Sequence, residues 1–169
     1  MDRLDTDRLH LRRLTLDDAA FILELVNEPA WLQFIGDKGV RDLDGARDYL
    51  RKGALDLYAR FGFGPLRVEL KSDATPIGIC GLIKRPTLDD VDLGFAFLAR
   101  FRGQGFAFEA AAAVLAQARR ELGLKRIVAL TALENRSSIK LLERLGMKFE
   151  GLKRLAPDAP ESRLFAVEA

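Results

Sequence analysis

The sequence predicts a mixed α/β fold: one sheet that begins with antiparallel strands, acquires a parallel pair, and carries helices. Three observations lead there. Segments Pro65–Leu70, 76–84 and 91–98 read as apolar strands joined by turns too short for a crossover, so they form an antiparallel meander. Segment 91–98 is then followed by a glycine-punctuated turn, an alanine-rich helix Phe106–Leu122 and a strand at 127–132. That order is a βαβ unit, which requires a crossover and a parallel pair. The third observation is size and composition. At 169 residues, with 49% apolar and 31% charged residues, the chain fits one globular domain with a substantial core.

The elements follow in order. Leu9, Leu11 and Leu14 mark a first strand. Thr15 and Asp18 have capping-box spacing, and the helix they open carries Phe21, Ile22, Leu25 and Val26 on one face, limited by Pro29. Residues 31–35, Trp-Leu-Gln-Phe-Ile, read as an apolar loop or helical turn, either packed under a loop or walling a pocket. Residues 44–60 read as one helix with Ala46, Tyr49, Leu50, Leu57 and Tyr58 inward and Gly62 past its end. After the meander and helix 106–122, Gly123 fits a C-terminal cap. Asn135 fits the N-cap of a helix at 136–145, which Gly146 closes. Segments 147–152 and 164–167 read as closing strands, with a proline-containing loop at 156–160 between them.

Composition excludes several classes of function. A net charge of +2 argues against broad electrostatic binding of nucleic acid, leaving only a local basic patch open. A single cysteine, Cys80, allows neither an internal disulfide nor a cysteine-rich zinc site, and a single histidine, His10, provides no pair for a metal. No metal is therefore expected. The charged N-terminus lacks the apolar stretch of a signal peptide, and no apolar run has the length of a membrane span. The expectation is a cytoplasmic protein without a membrane partner, monomeric or homodimeric.

The chemistry concentrates in the turn at 100–107, Arg-Phe-Arg-Gly-Gln-Gly-Phe-Ala. A glycine turn between strand and helix presents N–H groups at the positive end of a helix dipole, which suits a phosphate. Gly103 and Gly105 let the main chain approach a ligand, and Arg100 and Arg102 add positive charge. A dinucleotide fingerprint fails because Phe108 stands where a third small residue is needed, and a nucleotide P-loop fails because Gly-Lys-Ser/Thr is absent. An acyl-CoA loop remains, beside a purely structural turn of similar appearance.

Arg100-x-x-Gly103-x-Gly105 resembles the Arg/Gln-x-x-Gly-x-Gly/Ala signature of the GNAT superfamily of N-acetyltransferases. The likeness extends from Thr6 to about Gly151. Thr6-Asp7-Arg8-Leu9-His10-Leu11-Arg12-Arg13-Leu14 is similar to the opening strand of the branch that contains the ribosomal-protein N-terminal enzymes. Gly105-Phe106-Ala107-Phe108-Glu109-Ala110 is similar to that branch's Gly-Tyr-Ala-Thr-Glu-Ala. Glu134-Asn135-Arg136-Ser137-Ser138-Ile139 and Leu145-Gly146-Met147 resemble its second block.

The resemblance implies a twisted, mostly antiparallel sheet with a central parallel pair that splays apart. It implies acetyl-CoA as cosubstrate, its pyrophosphate on Arg102, Gly103, Gln104, Gly105, Phe106 and Ala107, with Arg100 nearby. The main chain of Phe95, Ala96 and Phe97 would meet the pantetheine arm, as would Asn135. Many members place a Tyr where this chain has Leu142, so Ser138 is the candidate donor to the leaving thiolate. A Ser bonded to its own helix backbone is the competing reading. Asp92 is the candidate base or ammonium holder, against an ordinary solvent-facing strand position. Glu69 is a second candidate, and water a third. Cys80 reads as core and His10 as a surface strand residue. The implied activity is direct acetyl transfer to a primary amine, a protein N-terminus or a small molecule. A non-catalytic acyl-CoA sensor or binding subunit is the alternative.

Overall fold

The computed structural model describes residues 1–168. Eight strands form one sheet in the order β1-β2-β3-β4-β5-β6-β8-β7. They are β1 (Arg3–Asp5), β2 (Leu9–Arg13), β3 (Pro65–Leu70), β4 (Pro76–Ile83), β5 (Asp92–Phe97), β6 (Arg126–Ala132), β7 (Lys148–Lys153) and β8 (Ser162–Glu168). Every neighbouring pair is antiparallel except β5 and β6, which are parallel. The expected meander is β3–β4–β5, and the expected βαβ unit runs from β5 through helix α5 (Phe106–Leu122) to β6.

Two features of the sheet go beyond what the sequence reading specified. The short strand β1 pairs with β2 and buries Leu4, a signal of one apolar residue that is too small to read in sequence. The closing strands do not pair in chain order. β8 inserts between β6 and β7, and its pairing with β6 runs the full length from Ser162 to Glu168.

The helices follow local chemistry. Thr15 forms the expected capping box: its hydroxyl accepts from the Asp17 N–H at 3.2 Å, and Asp18 accepts from the Thr15 N–H at 2.8 Å. The capped turn leads into α1 (Ala19–Leu25). The segment at Trp31 is a true helix, α2 (Pro29–Phe34), started by proline at its first position. The helix expected at 44–60 is three pieces end to end. Asp42 caps α3 (Leu43–Leu50), a wider π-helical stretch follows over Arg51–Leu55, and α4 (Asp56–Phe61) ends at Gly62 with φ 74°. Such π stretches recur at functional sites, and Gly53 and Ala54 of this one line the cleft described below.

Helix α5 packs across β2, β4 and β5 and against α6 (Arg136–Arg144). Ala110, Ala111, Val114 and Ala118 are fully buried on its inner face, so a run of small residues brings the helix axis close to the sheet. None of the helices is long and apolar enough to cross a membrane, among the described residues.

Candidate active site

The site begins where two strands fail to stay paired. β5 and β6 share one register position, Asp92 opposite Val128, sealed by the bond from the Val128 N–H to the Val91 carbonyl at 3.0 Å. Beyond it the strands part. The alternation of antiparallel pairing tells which main-chain groups face the gap. Leu98 donates to the Ile77 carbonyl of β4 at 2.9 Å, so Ala96 and Gly94 also turn their main chain toward β4. Leu93, Phe95 and Phe97 turn theirs toward the gap. Of the three pantetheine-contacting positions expected in this strand, Phe95 and Phe97 therefore have the right orientation, and the Ala96 main chain faces away. The Phe97 carbonyl already accepts two bonds from the Arg102 guanidinium, at 2.8 and 3.1 Å.

The gap opens into a cleft of about 830 Å³. Its phosphate end is the N-terminus of α5. The first bond of that helix runs from the Glu109 N–H to the Gly105 carbonyl at 3.1 Å, so the N–H groups of Phe106, Ala107 and Phe108 have no acceptor within the helix. Gly103 and Gly105 have φ of 74° and 83°, a left-handed conformation that strains any residue with a Cβ. Their first role is thus to shape the turn, and room for a ligand comes with it.

Both arginines of the turn have protein partners. Arg100, 59% exposed, forms an ion pair with Glu24 of α1 at 3.1 Å and does not line the cleft. Arg102 lines it but is committed to the Phe97 carbonyl. A third arginine takes the structural part. Arg8 donates to the Gln104 carbonyl at 3.0 Å and to Glu109 at 2.9 Å, and its guanidinium lies 4.3 Å over the Phe106 ring. Glu109 also accepts from the Thr6 hydroxyl at 2.6 Å and the Arg8 N–H at 3.1 Å. The strap ties the chain before β2 to the turn. Its members were visible in sequence only as letters of the two motifs, with no sign that they meet.

Helix α6 lines the cleft from the other side. Asn135 is the N-cap, its Oδ1 accepting from the Ser138 N–H at 3.3 Å, which leaves its Nδ2 without a partner among the described residues. Ser137 spends its hydroxyl on the same Oδ1 at 3.3 Å. Ser138 Oγ has no protein partner among the described residues and lines the cleft, so the backbone-bonded alternative does not hold in this structure. Leu142 is 1% exposed in the main core, and Leu141 is the leucine that reaches the cleft wall.

Asp92 lies at the fork of the strands. It is 2% exposed, which removes the solvent-facing reading. Oδ2 accepts from Arg85 Nε at 3.3 Å, and Oδ1 is buried with no partner. Burial pushes the carboxyl above its ordinary range, against the opposing charge of Arg85. The other candidates lie elsewhere. Glu69 is bonded to Arg67 at 2.7 Å within a partly buried cluster with Arg12 and Asp18, outside the cleft. His10 is bonded to Asp5 at 2.7 Å. Cys80 is fully buried, which pushes its thiol up.

Leu25, Trp31, Phe34, Leu57 and Ile83 add apolar surface to the wall, and Tyr49, Glu28, Lys38 and Lys52 also line it. Trp31 combines both roles considered for it, being 6% exposed and part of the lining.

A donor-rich helix terminus, a parted parallel pair and a buried carboxylate thus share one cleft. The model of the acetyltransferase (GNAT) domain matches residues 8–148, and the chain belongs to that family. It is 30% identical over 156 residues to the uncharacterized N-acetyltransferase p20 of Bacillus licheniformis, covering 91% of this chain and 86% of that one. An acetyltransferase of Agrobacterium tumefaciens superposes with a TM-score of 0.82 at 28% identity, over 100% of this chain and 95% of the other. RimL, a ribosomal α-N-protein acetyltransferase in complex with coenzyme A, shares the fold with a TM-score of 0.81 at 19% identity, over 99% and 98% of the two chains. The protein is an acetyltransferase.

Proposed function

We propose that the chain moves an acetyl group from acetyl-CoA directly to a primary amine bound in the cleft beside Asp92. One observation carries the reading. Asp92, buried and with Oδ1 unpartnered, sits where β5 and β6 part, in the same cleft as the N–H groups that begin α5.

The residues present fit the donor. The N–H groups of Phe106, Ala107 and Phe108, with the turn at Gly103, Gln104 and Gly105, suit a pyrophosphate. The free main chain of Phe95 and the Asn135 amide suit the amides of the pantetheine arm. When bound, acetyl-CoA supplies a thioester carbonyl as electrophile. Asp92 accepts a hydrogen bond from the acceptor's ammonium and takes its proton, a task favoured by a carboxyl held above its ordinary range. Ser138 Oγ donates to sulfur as negative charge grows there. Arg100, ion-paired with Glu24, acts in this reading as a fastener between α1 and the turn.

The test is release of free CoA from acetyl-CoA across a panel of small amines and peptides with free N-termini. Acetyl transfer to at least one amine, abolished or slowed in Asp92→Asn, is expected. Tight acetyl-CoA binding with no release for any acceptor would replace this reading by that of a non-catalytic acyl-CoA sensor.

A further inference from the structure

Besides Asp92, the cleft carries polar atoms on Arg85, Tyr49 and Trp31 that the transfer step alone does not use. Arg85 follows β4 and reaches Asp92 through Nε alone, at 3.3 Å. Its two terminal nitrogens have no partner among the described residues; its side chain is 37% exposed and lines the cleft. Tyr49 stands beside it, close enough for the Arg85 charge to act on its phenol. Asp92 Oδ1 and Trp31 Nε1, an acceptor and a donor, are both buried and unpartnered on the same cleft. The same cleft is lined by the apolar side chains of Leu25, Trp31, Phe34, Leu57 and Ile83, with Lys38 and Lys52 also on its wall.

An anionic oxygen beside free guanidinium nitrogens is the complement of an ammonium beside a carboxyl oxygen. Planar guanidinium pairs well with carboxylate, and also donates to a neutral carbonyl. Apolar walls on the far side favour a side chain without polar atoms. Resting on the transfer reading above, we infer that the acceptor is an α-aminoacyl group with an apolar side chain. Its ammonium meets Asp92, its carboxyl or carbonyl oxygen meets Arg85, and its side chain lies against Trp31, Phe34 and Leu57. A free amino acid and a peptide N-terminus share this chemistry.

The experiment uses the full chain and measures two things: calorimetric binding of L-phenylalanine to the CoA-saturated protein, and CoA release from acetyl-CoA. The acceptors are L-phenylalanine, L-leucine, glycine, 2-phenylethylamine and the tripeptide Phe-Gly-Gly. L-Phenylalanine or the tripeptide should exceed 2-phenylethylamine in kcat/KM by about 10- to 100-fold, the worth of a hydrogen-bonded charge at a half-open site. They should exceed glycine through the side-chain wall. The ratio of tripeptide to free amino acid identifies the source. Arg85→Met should bring the ratio of L-phenylalanine to 2-phenylethylamine close to one, and Arg85→Lys should restore part of it. A 2-phenylethylamine rate equal to or above that of both aminoacyl acceptors, or a glycine rate equal to theirs, overturns the inference while acetyl transfer stands. Absence of both binding and turnover for the aminoacyl compounds also overturns it. Binding of L-phenylalanine with no CoA release for any amine defeats the transfer reading, and with it the acceptor role, while the aminoacyl site itself stands.

Discussion

Removal of the Arg8 strap should weaken donor binding without slowing chemistry. Arg8→Met keeps much of the side-chain length and deletes the bonds to the Gln104 carbonyl at 3.0 Å and to Glu109 at 2.9 Å, together with the stacking on Phe106. The side chain is 46% exposed, so the ion pair belongs to the weak class of about 0.2–1 kcal/mol. The carbonyl bond adds about 0.5–1.5 kcal/mol, and the guanidinium over the ring about 0.5–1 kcal/mol. The sum, about 1–3.5 kcal/mol, holds a turn whose Gly105 is left-handed. Part of the loss falls on global stability, and the rest lowers the fraction of molecules with the turn preformed, so the apparent Kd for acetyl-CoA rises by about 3- to 30-fold. Calorimetry with acetyl-CoA and kcat at saturating donor read the two consequences separately. Glu109→Ala should act on the same strap and also strand the Thr6 hydroxyl and the Arg8 N–H. The double variant should therefore fall short of additivity by about 0.5 kcal/mol or more. An unchanged Kd in folded Arg8→Met, or a fall in kcat at saturation, would refute the strap as a positioning device.

Ser138→Ala should lower kcat, by up to about 10²-fold if general-acid help is near its lower range, with little change in acetyl-CoA Kd. Ser137→Ala should do less, because its hydroxyl is already spent on Asn135. Equal rates for parent and Ser138→Ala, when chemistry limits, would assign the donor to water. Asp92→Asn should remove an acidic limb from the pH profile of kcat/KM, a limb lying above the ordinary carboxylate range because burial raises this carboxyl. It also has a stability signature. A raised carboxyl binds its proton more tightly in the folded state, so parent stability falls as pH rises from the ordinary carboxylate value through the raised one. Asp92→Asn should flatten that fall, giving a higher Tm than the parent at pH 7 and no gain near pH 4. Gly103→Ala and Gly105→Ala each place a Cβ on a left-handed residue and should cost about 1–2 kcal/mol of stability as well as donor affinity. Thermal denaturation with calorimetry tests both, and an unaltered Tm would contradict the strained turn.

Local patterns carried the elements of this protein. The apolar runs of β3 to β5, the alanine stripe of α5, Thr15, Asn135 and the glycine after α5 are instructions to the neighbouring few residues. The order β5–turn–α5–β6 likewise dictated a parallel pair, because the crossover has one geometry. The turn at Gly103 and Gly105 was legible as an anion site for the same reason: helix termini and glycine conformations are local. Tertiary structure decided everything that depends on what lies across a gap. It paired Arg100 with Glu24 and brought Arg8 to the turn in its place. It buried Asp92 at the fork and left Glu69 in a separate cluster with Arg67. It sent Leu142 into the core and Leu141 to the cleft wall. It also put β8 between β6 and β7, since strand order is set by which apolar faces meet, and that competition runs over the whole chain. Arg85 shows the limit most directly: in sequence it is one charged residue in a turn, and only the hairpin that returns as β5 gives it Asp92 as a neighbour and a cleft to face.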